Sequence, residues 1–242
     1  MTSAFVGVPL DSEEVEQREG VMRALAEARA AEEPSIVYVV DDDADVRDSL
    51  MALLESVSLR CETFSSTKDF LQRAPVDVAS CLVLDVRLPG PSGLDFQAEL
   101  AQKHLDIPIV FITGHGDIRM SVRAIKGGAV EFLTKPVREQ DLLDAVRTAL
   151  DLDRTRRDYE RRRGALKAKF ALLSDREREV MSFVIRGLLN KQIAGEMRLS
   201  EVTVKVHRHK LMRKLAAKSV PDLVRMAEVL NSNGHDHLAG IS

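Results

Sequence analysis

The fold of this chain is decided by the stretch Ile36-Val37-Tyr38-Val39-Val40-Asp41-Asp42. A solid apolar run that leads into two carboxylates is typical of a strand buried on both faces of a parallel sheet. In an open α/β sheet the carboxyl ends of the strands meet at one edge, and binding sites lie there. The stretch therefore predicts a central strand that brings Asp41 and Asp42 to a site at that edge.

Three further apolar runs also end in a side chain that can take part in chemistry. The runs at 82–84, 109–112 and 132–134 lead to Asp85, Thr113 and Lys135, respectively. If all the runs are parallel strands, carboxylates, a hydroxyl and an amine converge in one crevice. Such a set can hold a divalent cation and transfer a phosphoryl group.

Short apolar runs alternate with amphipathic stretches between residues 35 and 150. They predict strands at 36–41, 60–64, 81–85, 107–112 and 130–134, and helices at 45–56, 67–73, 92–104, 117–126 and 138–150. Repeats of this length predict an α/β domain with a doubly wound, five-stranded parallel sheet that is covered on both faces. The stretch 170–231 has only helical signals and predicts a second, all-α domain.

The remaining segments are predicted from composition. Residues 1–34 are acidic and Ala-rich, which indicates an N-terminal extension that is helical or disordered. Residues 151–169 are rich in arginine without a strong apolar stripe, so we interpret them as a charged helical linker. Residues 232–242 form a tail. The boundaries are thus 1–34, 35–150, 151–169, 170–231 and 232–242.

Charge is distributed unevenly along the 242 residues. The formal net charge is only -3. Between Arg154 and Lys214, however, about 18 Lys and Arg face about 7 Asp and Glu, and such a split suggests that one half meets a polyanion. Trp is absent and aromatic residues are 4% of the chain, so stacking on bases is not the expected mode of binding.

The compartment is predicted from the cysteines and from hydropathy. Cys61 and Cys81 lie in or beside apolar runs, so we interpret them as small core residues without a disulfide. The sequence has no basic-then-apolar leader pattern, and no apolar stretch approaches about 18 residues. We therefore expect a cytoplasmic protein without membrane association.

The acidic run at 41–45 admits three interpretations. An EF-hand loop is excluded because its sixth position is Val46 rather than Gly and its twelfth is Ala52 rather than Glu. Asp43 and Asp45 match the D-x-D nucleophile of dehalogenase-like phosphatases, although two carboxylates precede Asp43 here. In the third interpretation Mg²⁺ (or Mn²⁺) binds Asp42 and Asp85 directly and Asp41 through water, and a carboxylate is the nucleophile towards phosphorus.

The order V-V-D-D, L-D-V-R-L-P-G-x-S-G, F-I-T-G-H-G-D and F-L-T-K-P resembles the receiver domain of two-component response regulators, which has a flavodoxin-like fold. The resemblance covers residues 35–150. It implies Asp85 as the phosphoacceptor, Lys135 as the amine that neutralises a phosphoryl oxygen, and Thr113 with Phe132 as the switch pair. It also implies a metal site made by Asp41, Asp42, Asp85 and the backbone carbonyl of Arg87, and a cis bond between Lys135 and Pro136.

The C-terminal half contains four predicted helices. Ser174 begins the first with the spacing of a capping box and Gly187 ends it; 190–197, 201–215 and 221–230 follow. On the third helix Val204, Leu211 and Leu215 form a buried stripe. Its other face carries basic residues. A short turn followed by a basic helix predicts a helix-turn-helix that enters the major groove.

This half resembles the LuxR-type effector domain through L-S-x-R-E-R-E-V, G-L-x-N-K-Q-I-A and L-S-E-x-T-V-K-V-H. The resemblance implies base-edge contacts from Lys205, Val206 and His209. Phosphate contacts are expected from Lys191, Arg208 and Lys210, and Arg213 belongs to the same basic face. His209 departs from the family, where a Lys, Arg or Ser is common. A receiver joined to this effector by a long charged connector is similar to the FixJ/NarL group.

These observations predict a transcriptional regulator rather than an enzyme. A histidine kinase would phosphorylate Asp85, and the protein would then form a homodimer on double-stranded promoter DNA. Two alternatives stay open at this point. A constitutive DNA-binding regulator would ignore phosphoryl donors, and a dehalogenase-like phosphatase would turn over small phosphate esters.

Overall fold

The computed structural model describes residues 34–74, 76–114 and 116–231. The chain forms two compact units that divide between Thr155 and Arg156. The predictions for residues 1–33 of the N-terminal extension and for the tail at 232–242 lie outside the described residues, and the domain boundaries predicted above stay predictions.

The first unit contains a five-stranded parallel sheet. Its strands are β1 (Ser35–Val40), β2 (Arg60–Phe64), β3 (Ala79–Asp85), β4 (Ile109–Thr113) and β5 (Glu131–Thr134). They lie in the order β2-β1-β3-β4-β5, and every neighbouring pair is parallel. Helices cover the sheet on both faces, so the predicted doubly wound, flavodoxin-like fold is confirmed.

Five helices accompany these strands. They are α1 (Ala44–Ser56), α2 (Thr67–Gln72), α3 (Gly93–Gln102), α4 (Ile118–Lys126) and α5 (Glu139–Ala171). The first four begin after Asp43, Ser66, Ser92 and Asp117, and each of those side chains accepts a hydrogen bond from a backbone N–H of the first turn. Such caps satisfy donors that the helix itself leaves unpaired.

The core of this unit lies on the two faces of the sheet. Side chains alternate along β1, so Ile36, Tyr38 and Val40 pack into one cluster while Val37 and Val39 pack into the other. The first cluster lies under α2, α3 and α4, and the second lies under α1 and α5. The solid apolar run of β1 therefore reflects burial on both faces.

Helix α5 differs from the sequence prediction. We expected a helix at 138–150 followed by a separate helical linker, but a single helix continues from Glu139 to Ala171. No Pro interrupts this stretch, and ion pairs such as Arg154–Asp151 and Arg156–Glu160 follow helical spacing. The change in composition near residue 151 is therefore not the end of a helix.

The second unit is helical in the residues that the structure describes. Beyond the end of α5 it contains α6 (Asp175–Ile185), α7 (Asn190–Met197), α8 (Glu201–Leu215) and α9 (Val220–Asn231). Their apolar faces form one core that includes Val180, Ile193, Val204, Leu211 and Leu223. The four predicted helices are confirmed, and their bounds agree with the prediction to within about one residue.

No helix in the part of the chain that the structure describes has the length and hydropathy that a membrane span requires.

Candidate functional sites

The carboxyl edge of the sheet gathers the side chains that end the apolar runs. Asp41 and Asp42 follow β1, Asp85 is the last residue of β3, Thr113 is the last of β4, and Lys135 follows β5. The register pairs Asp85 with Ile112 and Thr113 with Thr134, so these strand ends are level with each other. The predicted convergence is therefore present.

Lys135 joins the two buried carboxylates of this edge. Its Nζ lies 2.7 Å from Oδ2 of Asp41 and 3.0 Å from Oδ2 of Asp85. The Asp41 side chain is fully buried, and that of Asp85 is 9% exposed. Buried carboxylates need a charged or hydrogen-bonding partner. The Lys135 amine is that partner for both, and its positive charge offsets the repulsion between them.

The pKa values in the crevice reflect a balance between burial and pairing. Burial raises the pKa of the Asp41 carboxyl above its ordinary value, although the hydrogen bond from Lys135 offsets part of that effect. Burial acts to lower the pKa of Lys135, but the hydrogen bonds to Asp41 and Asp85 outweigh it and leave that pKa raised. Lys135 is therefore a cation in this site.

Three carboxylates in the crevice are close enough to share a metal ion. One oxygen from each of Asp41, Asp42 and Asp85 can be chosen so that all three lie within 4.8 Å of one another. Asp42 is exposed, so this side of the group is open to solvent. The backbone of Arg87 is adjacent, since its N–H donates to Oδ1 of Asp85 at 3.1 Å. An all-oxygen set with an open side fits a hard divalent cation that keeps several waters.

Thr113 and Phe132 lie next to each other at the β4 and β5 side of the crevice. Thr113 is fully buried, and its carbonyl accepts a hydrogen bond from the backbone N–H of Lys135 at 2.8 Å. Phe132 is half-buried and packs on Phe111 with ring centroids 6.2 Å apart. A Cβ at Gly116 would lie 2.8 Å from Phe132 and 3.2 Å from Thr113, so both side chains border the same loop. The Lys135–Pro136 bond is cis, as the resemblance implies.

Two residues near the crevice have structural roles. Oδ1 of Asp43 accepts hydrogen bonds from the backbone N–H groups of Asp45 (2.9 Å) and Val46 (3.4 Å), so this carboxylate caps α1. That engagement argues against Asp43 as the nucleophile of a phosphatase. Gly93 begins α3, and a Cβ there would collide with the backbone carbonyl of Asp85.

A second candidate site is the outward face of α8. Val204, Leu211 and Leu215 are buried as predicted. The predicted contact residues on the outward face are exposed: Lys205, Val206, His209, Lys210 and Arg213. This face is a contiguous surface on one helix, whereas the crevice gathers residues from four strands.

The other two predicted DNA contacts lie where α7 meets α8. Lys191 is exposed in the first turn of α7. Arg208 is half-buried, and its guanidinium donates to Oδ1 of Asn190 at 2.9 Å. Arg208 therefore contacts the start of α7 and does not belong to the outward face of α8.

An ion pair between a half-buried lysine and a buried carboxylate fixes α8 against α6. Nζ of Lys214 lies 2.6 Å from Oε2 of Glu177, and it also donates to the carbonyl of Leu172 at 3.0 Å. Glu177 Oε2 accepts the Ser174 N–H at 2.8 Å, which completes the capping box that the spacing predicted. Although burial acts to raise the pKa of Glu177, its hydrogen bonds from Lys214 and Ser174 hold that pKa below its ordinary value. Sequence reasoning missed Lys214, because the two partners lie on different helices.

Comparison with protein families gives a match for each unit. Residues 37–147 match the response regulator receiver domain, and residues 171–227 match the bacterial regulatory proteins of the luxR family. Two separate families therefore cover the sheet with its crevice and the helical unit with α8.

Similar proteins carry both parts. Nodulation protein W of Bradyrhizobium diazoefficiens is 55% identical over 81% of this chain and 86% of its own length. The transcriptional regulatory protein FixJ of Rhizobium meliloti is 40% identical over 79% of this chain and 94% of its own length. The solved structure of the response regulator StyR is 49% identical, covers 81% of this chain and 98% of its own, and superposes with a TM-score of 0.73.

Proposed function

Because this chain belongs to the two-component response regulators of the FixJ/NarL type, with a receiver and a LuxR-type DNA-binding domain, we propose that phosphorylation of Asp85 controls its binding to DNA. The observation that carries the proposal is the bridge from Lys135 to both Asp41 and Asp85 at the sheet edge. An amine at hydrogen-bond distance from the acceptor carboxylate can stabilise a phosphoryl group that arrives there.

The transfer would proceed from a phosphohistidine of a partner histidine kinase. An Asp85 oxygen attacks phosphorus, the phosphorus–nitrogen bond breaks, and the imidazole leaves with the bonding pair. Lys135 would balance the charge of one phosphoryl oxygen and Thr113 would donate to another. Mg²⁺ (or Mn²⁺), which Asp41, Asp42, Asp85 and the carbonyl of Arg87 would hold, would supply further positive charge to the phosphoryl group when bound.

The signal would pass from the crevice through the switch pair. Thr113 would move towards the phosphoryl group, and Phe132 would occupy the space behind it. Helix α4 follows the same loop and carries an exposed apolar row at Ile118, Val122 and Ile125. Such a row is suited to a protein interface. We propose that phosphorylation makes the surfaces at 117–126 and 138–150 available to a second copy, giving a homodimer.

The dimer would place two α8 helices on promoter DNA. Lys205, Val206 and His209 would meet base edges, while Lys191, Lys210 and Arg213 would meet phosphates. Arg208 would have one of two roles. It would hold the turn between α7 and α8 through its hydrogen bond to Asn190, or it would break that bond and contact a phosphate. We further propose that the protein acts in the cytoplasm, as a regulator and not as an enzyme.

The phosphoacceptor is tested by intact mass after incubation with acetyl phosphate and Mg²⁺. The wild type should gain the mass of one phosphoryl group, and Asp85→Asn should gain none. Asp43→Asn is the matched control, because Asp43 caps α1 and should leave the gain intact. A gain that persists in Asp85→Asn would contradict the assignment of the acceptor.

A constitutive DNA-binding regulator is the second candidate function, and the structure offers an observation that bears on it. The carboxylates of Asp41, Asp42 and Asp85 lie close together, and Lys135 contacts two of them. Such a complete set is not expected in a receiver that has lost phosphoryl transfer, so this observation argues against the second candidate. Chelation of the metal by EDTA distinguishes the two candidate functions. If phosphorylation controls the protein, EDTA should abolish the mass gain of the wild type. If the wild type gains no mass with or without EDTA, the constitutive regulator is favoured.

A further inference from the structure

Helix α8 carries two valines on the side that faces away from its core. Val202 is 70% exposed and Val206 is 46% exposed. A single exposed apolar side chain needs no explanation. Residues four apart, however, are neighbours on a helix surface. The two valines therefore make a small continuous apolar strip on a helix that is otherwise basic.

Helical geometry places this strip at the centre of the outward face. Each residue advances by about 100° around an α-helix. If Val202 is set at zero, the buried residues Val204, Leu211 and Leu215 cluster around about 200°, and Val206 lies at about 40°. The strip is thus almost opposite the buried stripe.

Cations flank this strip. On the same wheel Lys205 lies at about 300° and Lys210 at about 80°, one on each side of the valines. His209 and Arg213 continue the outward face beyond Val206. The arrangement is apolar in the middle and basic at both margins.

Polar side chains beside Val202 are engaged within the helix. Oγ of Ser200 and Oγ1 of Thr203 lie 2.8 Å apart, and Ser200 caps the helix through the Thr203 N–H. Glu201 forms an ion pair with Lys205 at 3.1 Å. At the start of α8, the outward side chain best placed to meet a base is therefore a valine.

We propose that Val202 and Val206 recognise the methyl groups of thymines in the major groove. A helix-turn-helix presents the N-terminal part of its second helix to base edges, and Val202 is the second residue of α8. The thymine methyl is the apolar group that the major groove offers. Of the flanking lysines, Lys210 would meet a phosphate and Lys205 would meet a base edge, as proposed above. This inference rests on the proposed function and adds Val202 as a residue that determines specificity.

The test begins with the full-length protein, treated with acetyl phosphate and Mg²⁺. Duplexes are selected from a pool with a random central segment. In a selected duplex each thymine is then replaced in turn by deoxyuridine, which lacks only the C5 methyl. Dissociation constants are measured for the wild type, Val202→Ala, Val206→Ala and Val57→Ala. Val57 is an exposed valine of the first unit and serves as the matched control.

In each half-site we expect two thymines whose replacement weakens wild-type binding by about fourfold, the factor for burying one methylene-sized group. Val202→Ala should weaken binding to the unmodified duplex by a similar factor for each half-site, and it should lose its response to one of the two replacements. Val206→Ala should lose the response to the other. Val57→Ala should behave as the wild type. Because alanine favours the helix more than valine does, neither α8 variant should unfold at a lower temperature than the wild type. A loss of DNA affinity would then not be due to unfolding.

Two results would overturn the inference in distinguishable ways. If duplexes are selected but Val202→Ala and Val206→Ala respond to every uracil as the wild type does, the valines do not recognise thymine and the DNA-binding proposal stands. If no duplex is enriched over the starting pool, the proposed function itself is wrong and the inference with it.

Discussion

The crevice at the sheet edge and the outward face of α8 handle charge in opposite ways. In the crevice Asp41 and Asp85 are buried and held by one cation, Lys135. On α8 Lys205, Lys210 and Arg213 are exposed to water. Buried pairs are little screened by salt, and exposed cations are strongly screened. Phosphoryl transfer needs charged groups held at fixed short distances, whereas the recognition of a polyanion needs charged groups that the partner can reach.

The largest expected effect comes from removing the cation of the crevice. Lys135→Met should slow phosphoryl transfer from acetyl phosphate by roughly 100-fold or more, because the developing charge on the phosphoryl group loses its fixed partner. The rate is followed by intact mass over time. Lys103→Met removes an exposed lysine paired with Glu99 and should react as the wild type. Equal rates for both variants would show that the pairing of Lys135 is only structural.

The second effect tests how tightly the crevice is packed. Gly93→Ala should destabilise the protein by about 2–3 kcal/mol, because a Cβ there meets the Asp85 carbonyl and overpacking carries a cost of this order. Gly164→Ala is the matched control. A Cβ at Gly164 meets nothing within 4 Å, and alanine in a helix should stabilise slightly. Urea unfolding measures both, and an unchanged stability for Gly93→Ala would refute the close approach.

A smaller effect is expected at the buried pair behind α8. Glu177→Gln should lower the free energy of unfolding by about 1–2 kcal/mol, since one charged hydrogen bond is lost and Lys214 is partly exposed. The pKa of Glu177 is lowered in the folded state. Its contribution is therefore present above the ordinary value of 4.5 and is lost as the pH falls through the lowered folded pKa.

The measurement is urea unfolding of the wild type, Glu177→Gln and Glu179→Gln between neutral and acidic pH. Glu179 pairs with Arg176 at the surface, so its variant should stay close to the wild type. The difference in the free energy of unfolding between the wild type and Glu177→Gln should become smaller below a pH of about 4.5. A gap that widens towards acid would contradict the sign of the shift.

The smallest effect separates the two regions by their response to salt. Lys210→Ala should reduce the slope of log affinity against log salt by about 1 for each bound protomer, because each α8 loses one phosphate contact. Fluorescence anisotropy over a KCl series gives this slope. The rate of acetyl phosphate transfer to Asp85 should change little over the same series. A strong dependence of both on salt would remove the distinction between the regions.

Most of the fold could be predicted from the sequence because its patterns are local. The apolar runs of β1 and β3 and the cap at Ser174 are each contained in a few consecutive residues. Strand ends were less accurate, since β4 begins at Ile109 and not at 107. Pro108 has no N–H for the ladder, and its carbonyl instead accepts from Leu82.

The missed features depend on contacts between distant residues. Asp153 is buried in α5 and accepts a hydrogen bond from the Ser80 N–H at 2.9 Å. Lys214 reaches Glu177 across two helices. Neither contact leaves a periodic trace in the sequence. Without the contact of Asp153, the arginine-rich stretch after residue 150 resembles a separate linker. The residues that line the crevice can be predicted from the sequence. The hydrogen bonds from Lys135 to both carboxylates are visible only in the structure.

We propose that the phosphorylation state of Asp85 controls the binding of DNA. The decisive experiment measures the affinity of the wild type and of Asp85→Asn for a selected duplex, each with and without acetyl phosphate and Mg²⁺. We expect phosphoryl donor to tighten wild-type binding by roughly 5- to 150-fold, the usual range for coupled sites, and to leave Asp85→Asn unchanged. Equal affinities in all four measurements would contradict the account and favour a constitutive regulator.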